Sequence, residues 1–131
     1  MNQFPLTTLA TAFAITLFIY MGLRVGLSRA KYDVPAPATT GHPIFERLFR
    51  VHMNTLEAMP SFLPLLWLFA LYHGDVFAAV LGLVWFVGRI IFMQAYIGDP
   101  KKRSGGFQIQ FLAQVILLIG TVVGAVRDLL F

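Results

Sequence analysis

Residues 1–23 and 104–126 contain no charged side chain. At 1.5 Å per residue each stretch, as a helix, is about 35 Å long, enough to cross a hydrocarbon core of ~30 Å. Composition points the same way. Of the 131 residues 58% are hydrophobic and 12% charged, where soluble domains carry about 25% charge. A water-soluble globule of this size could not hide that much apolar surface. The same figures exclude a disordered chain, and the absence of cysteine excludes a disulfide scaffold. A small integral membrane protein remains, one domain by length. The net charge of +4 does not imply nucleic acid, which needs basic residues clustered on a soluble surface. Here Lys and Arg fall mainly between the apolar runs.

A signal peptide would want a basic start and a shorter apolar core than residues 1–23 provide. The first helix is therefore expected over residues 4–30 and to span the membrane. YDVPAPATTGHP (32–43) is broken by Pro and Gly and reads as a loop, with Pro43 suited to the first turn of a second helix, 43–72. That helix is ~45 Å long, so its start stands outside the hydrocarbon. Pro60 and Pro64 should bend it. HGD (73–75) reads as a turn, 76–97 as a third helix, GDPKKRSGG (98–106) as a basic loop and 107–129 as a fourth helix. GTVVG (120–124) is a small-xxx-small pattern that allows close helix packing. The first connection carries Arg24, Arg29, Lys31, Arg47 and Arg50, the third Lys101, Lys102 and Arg103, and the second none. Lys and Arg favour the cytoplasmic side, which puts both basic loops there and both termini outside. The expected architecture is all-α: an up-down four-helix transmembrane bundle over residues 1–131.

Four polar residues of the second helix, Arg47, Arg50, Asn54 and Glu57, fall within an arc of ~80°. Such a stripe on a membrane helix faces a cavity or another helix, not lipid. Glu57 lies ~22 Å from the outer end of its helix and Arg89 ~20 Å from the outer end of the third, so a Glu57–Arg89 pair is within reach. Tyr96, two turns beyond Arg89, faces the same way. Ion pairs can serve only to set helix register, and Arg47 and Arg50 can snorkel to the headgroups. Those readings explain the arginines better than they explain Asn54 with Glu57. The stripe suits a zwitterionic amino-acid headgroup with an extra carboxylate: guanidinium forks for carboxylates and a carboxylate for ammonium.

TTGHP (39–43) followed by FERLFRVHMNTLE (45–57), and then GLVWFVGRIIFMQAYIGDPKKRSGGF (82–107), resemble the signatures of the MAPEG family, membrane-associated proteins of eicosanoid and glutathione metabolism. The resemblance covers roughly residues 25–107 and is closest to the microsomal glutathione transferase 2 and leukotriene-C synthase-like branch. It implies a homotrimer with glutathione as co-substrate, bound between subunits at the cytoplasmic side. By the same resemblance Arg50 and Asn54 hold the γ-glutamyl carboxylate, Glu57 takes the α-amino group and Tyr96 lines the pocket. His52 and, from the first helix, Arg29 reach a neighbour's ligand. His52 points ~160° away from Arg50 on the helix, which a site shared between subunits accommodates.

The catalytic match is Arg103, with Ser104 beside it as a hydrogen-bond donor to the thiolate. A guanidinium cannot act as a base at neutral pH, but it stabilises a thiolate and so lowers the thiol pKa. The chain departs from leukotriene-forming members at Ala58 and Phe92, where they carry tyrosines. The implied activity is conjugation of glutathione to hydrophobic electrophiles, with reduction of lipid hydroperoxides beside it. The alternative is a non-catalytic lipid-binding member of the family, which needs neither Arg103 nor the full stripe. His42, His52 and His73 lack metal-ligand spacing, and KKR (101–103) lacks the spacing of a phosphate loop. The short chain reads as a bacterial inner-membrane protein, or as one of the endoplasmic reticulum in a eukaryotic host, with its site facing the cytoplasm.

Overall fold

The computed structural model describes residues 3–131. Its helices are α1 (Pro5–Tyr32), α2 (Pro43–His73), α3 (Asp75–Gly98) and α4 (Ser104–Leu130), with a short 3₁₀ turn, Pro100–Lys102, before the last. Among the described residues there is no strand. All four helices are long and apolar enough to cross a membrane. Their outward faces carry exposed Leu, Ile, Val and Phe, Leu27 and Phe77 among them. This is the arrangement expected where hydrocarbon replaces water as the solvent.

The helix ends follow from local chemistry. Pro5 and Pro43 occupy first-turn positions, where no backbone donor is needed. Asp75 accepts from the backbone N–H groups of Leu6 at 2.9 Å and Thr7 at 2.7 Å. It thus satisfies two orphan donors of α1 while its own charge suits the start of α3. His42 caps α2, its Nδ1 accepting from the Ile44 N–H, and its ring stacks on Tyr32 at 3.9 Å. Gly74, at φ 91°, alone separates α2 from α3. The fourth helix starts at Ser104 rather than Phe107, because Asp99 caps the 3₁₀ turn and the chain winds directly on into α4.

The core lies between the helices. Phe62 and Trp85 are fully buried and stack face to face at 3.9 Å. Both indole N–H groups find protein partners: Trp67 Nε1 donates to Thr11 Oγ1 at 3.0 Å, and Trp85 Nε1 donates to Gln114 Oε1 at 3.2 Å. His73 Nε2 lies 2.7 Å from the Gly120 carbonyl oxygen.

Close helix approach occurs at two places. Gly120 and Gly124 accept the rings of Phe69 and Tyr72: a Cβ at either would lie 2.3 and 2.5 Å from ring and side-chain carbons. The GTVVG motif therefore admits aromatic side chains of α2 rather than another helix backbone. Backbones meet instead between α3 and α4. A Cβ on Gly106 would stand 2.3 Å from the Phe92 nitrogen and 2.7 Å from the Gly88 oxygen. This contact fixes the start of α4, and with it Arg103 and Ser104, against α3.

Gly106→Ala should therefore force α3 and α4 apart and destabilise the fold by about 1–3 kcal/mol. Thermal unfolding in detergent measures it; an unchanged midpoint would contradict the contact.

Candidate functional site

Near the end of the bundle where α2 and α4 begin, a cavity of about 540 Å³ is lined by Arg50, Asn54, Phe92, Tyr96, Arg103, Ser104 and Phe107. It draws on three helices and the 3–4 connection. The α2 stripe supplies Arg50 and Asn54, α3 supplies Phe92 and Tyr96, the 3–4 connection supplies Arg103, and the start of α4 supplies Ser104 and Phe107.

The stripe divides among different partners. Arg47 donates to the carbonyls of Ile97 and Gly98 at 3.1 and 3.2 Å, so it caps the end of α3. Arg50 pairs with Glu57 at 3.2 Å, and both side chains are more than half exposed. Arg89 is 1% exposed and donates through Nη1 to Asn54 Oδ1 at 2.7 Å. Its guanidinium also lies 4.7 Å from the Phe92 ring centroid, an arrangement favoured by the ring quadrupole. The expected Glu57–Arg89 pair does not form. Asn54 faces α3 and takes the Arg89 guanidinium, whereas Glu57 is turned out of the bundle, where Arg50 reaches it.

The exposed Arg103 donates to the Pro100 carbonyl at 3.1 Å. Among the described residues the ion pairs are Arg50–Glu57 and Arg127–Asp128, so no carboxylate neutralises Arg103. Tyr96 packs beside Phe92, with ring centroids 5.7 Å apart.

His52 and Arg29 do not reach this cavity within the chain. His52 packs on Phe18 at 4.6 Å and against Gly22 of α1. Arg29 donates to the carbonyls of Val34 and Ala38 at 3.3 and 2.7 Å, and its guanidinium lies 4.7 Å from the Phe45 ring. It staples the α1–α2 loop through Nη1. Phe107 is a lining residue that the motifs did not single out. Its signal in the sequence is its place one turn beyond Arg103 and next to Gly106.

The cavity offers two guanidinium groups, an amide and a phenol, with a carboxylate at its edge through Arg50. Such a set can bind a carboxylate and an ammonium together and hold a developing anion beside Arg103. Among the described residues no group of three or more His, Asp or Glu comes together.

Residues 7–123 match the family model of the MAPEG family. An uncharacterized protein of Synechocystis is 45% identical over 121 residues, which cover 92% of this chain and 88% of that protein. Human microsomal glutathione S-transferase 2 is 43% identical over 106 residues, 81% of this chain and 70% of the relative. Leukotriene C4 synthase of Cavia porcellus is 30% identical over 129 residues, 98% and 86% of the two chains.

Replacing Asn54 by Leu should leave the buried Arg89 guanidinium without its acceptor and cost about 2 kcal/mol of stability. The double variant Asn54→Leu/Arg89→Leu should recover part of that loss. A double-mutant cycle by denaturation in detergent checks the coupling, and strictly additive losses would contradict it.

Proposed function

The chain belongs to the MAPEG family, and on that premise we propose that it is a membrane-bound glutathione transferase. The observation that carries this reading is the Arg103 guanidinium, free of any carboxylate partner among the described residues, on the same cavity as Arg50, Asn54 and Tyr96. A non-catalytic lipid-binding member needs neither that arginine nor the full Arg50, Asn54 and Glu57 stripe, and this chain has both.

In this reading glutathione enters from the cytoplasm. Arg50 and Asn54 hold the γ-glutamyl carboxylate, and Glu57 takes the α-amino group. Arg89 holds Asn54 from behind. Tyr96 closes one wall, and Ser104 donates to the sulfur. Arg103 stabilises the thiolate; a pKa drop of two units asks about 3 kcal/mol of it. The thiolate attacks the electrophilic carbon, a C–S bond forms, and the leaving group departs with its electron pair. With a lipid hydroperoxide the thiolate attacks the O–O bond instead. The alkoxide leaves and takes a proton to become the alcohol. A second glutathione then condenses with the sulfenic acid to give the disulfide and water.

The active unit is a homotrimer of one-domain subunits. Its physical support is the exposed Arg50–Glu57 pair. A carboxylate turned out of the bundle ~8 Å inside the hydrocarbon edge is costly against lipid, and a neighbouring subunit covers it. That neighbour brings His52, from the face opposite Arg50, and the Nε and Nη2 edge of Arg29, which its own loop leaves unused. The protein resides in a bacterial inner membrane, or in the endoplasmic reticulum of a eukaryotic host.

Glu57→Gln should weaken glutathione binding by roughly tenfold or more, the size of a hydrogen bond to a charged group. Calorimetric titration in detergent measures it, and unchanged affinity would refute the role given to Glu57. Cross-linking of the detergent-solubilised protein should give trimers; a stable monomer would sink the shared site.

A further inference from the structure

One polar cluster lies outside this machinery. Ser61 Oγ accepts a hydrogen bond from Gln114 Nε2 at 2.9 Å and donates to the Ala58 carbonyl at 3.0 Å. Gln114 Oε1 in turn accepts from Trp85 Nε1 at 3.2 Å. Ser61 lies twelve residues from His73, the end of α2, or ~18 Å, which is near the middle of a ~30 Å core. Ser61 is exposed there and Gln114 half-buried.

The cluster sits where two stripes converge. On α2, Ser61 continues the row Arg50, Asn54, Glu57 within an arc of ~60°. On α4, Ser104, Phe107, Phe111 and Gln114 fall within ~80° of one another. Phe107 and Phe111 stack at 6.0 Å with nearly parallel planes, and both are exposed. An apolar aromatic track thus leads from the Arg103–Ser104 end of the cavity to the Ser61–Gln114 bridge. Gln114 lies ten residues beyond Ser104, about 15 Å along the helix.

The buried Trp85 N–H needs an acceptor, and Gln114 Oε1 alone supplies it. The amide nitrogen that comes with that oxygen carries two hydrogens and spends one on Ser61, which leaves one N–H unspent. Ser61 is exposed on the same α2 row as Glu57, so in the trimer proposed above the remaining N–H and the free lone pairs of Ser61 and Gln114 lie beside the seam with the neighbouring subunit.

We propose that Ser61 and Gln114 form a second recognition point for the electrophile. They select elongated apolar substrates that carry an oxygen function, such as a hydroxyl, carbonyl or hydroperoxide, about 15 Å from the reacting atom. The apolar stretch between the two ends lies along Phe107 and Phe111. This rests on the transferase reading, because the reacting end of the substrate is placed by the thiolate at Arg103.

The test uses the purified trimer with saturating glutathione and two long-chain probes of equal length bearing the same reactive halide. One probe carries a hydroxyl at the stated distance and the other a methylene. The wild type should favour the hydroxylated probe by about five- to tenfold in kcat/KM, the effect of one hydrogen bond in an apolar setting. Ser61→Ala and Gln114→Leu should each bring that ratio towards one. Equal turnover of the probes by the wild type, or a preference that survives both substitutions, would overturn the proposal. The ultraviolet band of bound thiolate, recorded on the same samples, separates the two levels of the argument. A wild type with the band but no preference refutes the Ser61–Gln114 role alone, whereas a wild type without the band removes the transferase reading beneath it.

Discussion

A bilayer supplies no water to polar groups, and this governs the molecule from its caps to its cavity. Asp75 reaches across to the first turn of α1, Trp67 to Thr11, Arg89 to Asn54, and Gln114 to both Trp85 and Ser61. Each bond ties two helices while it satisfies a donor that hydrocarbon would leave bare. The same rule gives meaning to the groups left outward. Leu and Phe on the outer faces suit lipid, but the exposed Arg50–Glu57 pair does not, and this is the physical support for the proposed trimer.

The second determinant is steric. α3 and α4 approach so closely at Gly88 and Gly106 that a methyl group does not fit. That crossing lies beside the cavity, between Phe92 on one helix and Ser104 on the other. It brings a guanidinium from the 3–4 connection over a pocket whose other wall is α2. Without it Arg103 would be one more basic loop residue at a membrane surface. Packing and electrostatics are thus joined: the glycines place the charge, and Phe92 and Phe107 give the cavity an apolar wall opposite the polar groups of α2.

Much of this was legible in the sequence, for physical reasons. The charge-free stretches revealed membrane spans because lipid tolerates little else. The stripe Arg50, Asn54, Glu57 was visible because a helix repeats every 3.6 residues, and the motifs at 45–57 and 82–107 pointed to the family that the comparisons return. Partner choice was not legible. Periodicity places Glu57 and Arg89 at one depth, but it does not tell which stripe member faces α3; Asn54 does, and Glu57 takes Arg50 instead. The role of Arg47 as a cap on α3, and that of Arg29 as a staple on its own loop, depend on where distant carbonyls end up. GTVVG announced close packing, yet the tightest backbone contact lies at Gly106, inside a run that read as loop.

The central claim is that Arg103 holds a glutathione thiolate. The most direct measurement is the ultraviolet difference spectrum of glutathione added to the purified protein at neutral pH, with wild type beside Arg103→Ala. The account predicts a thiolate band in the wild type that is lost in the variant while glutathione still binds. Bound glutathione that shows no band in the wild type, or a band of equal strength in both proteins, would contradict it.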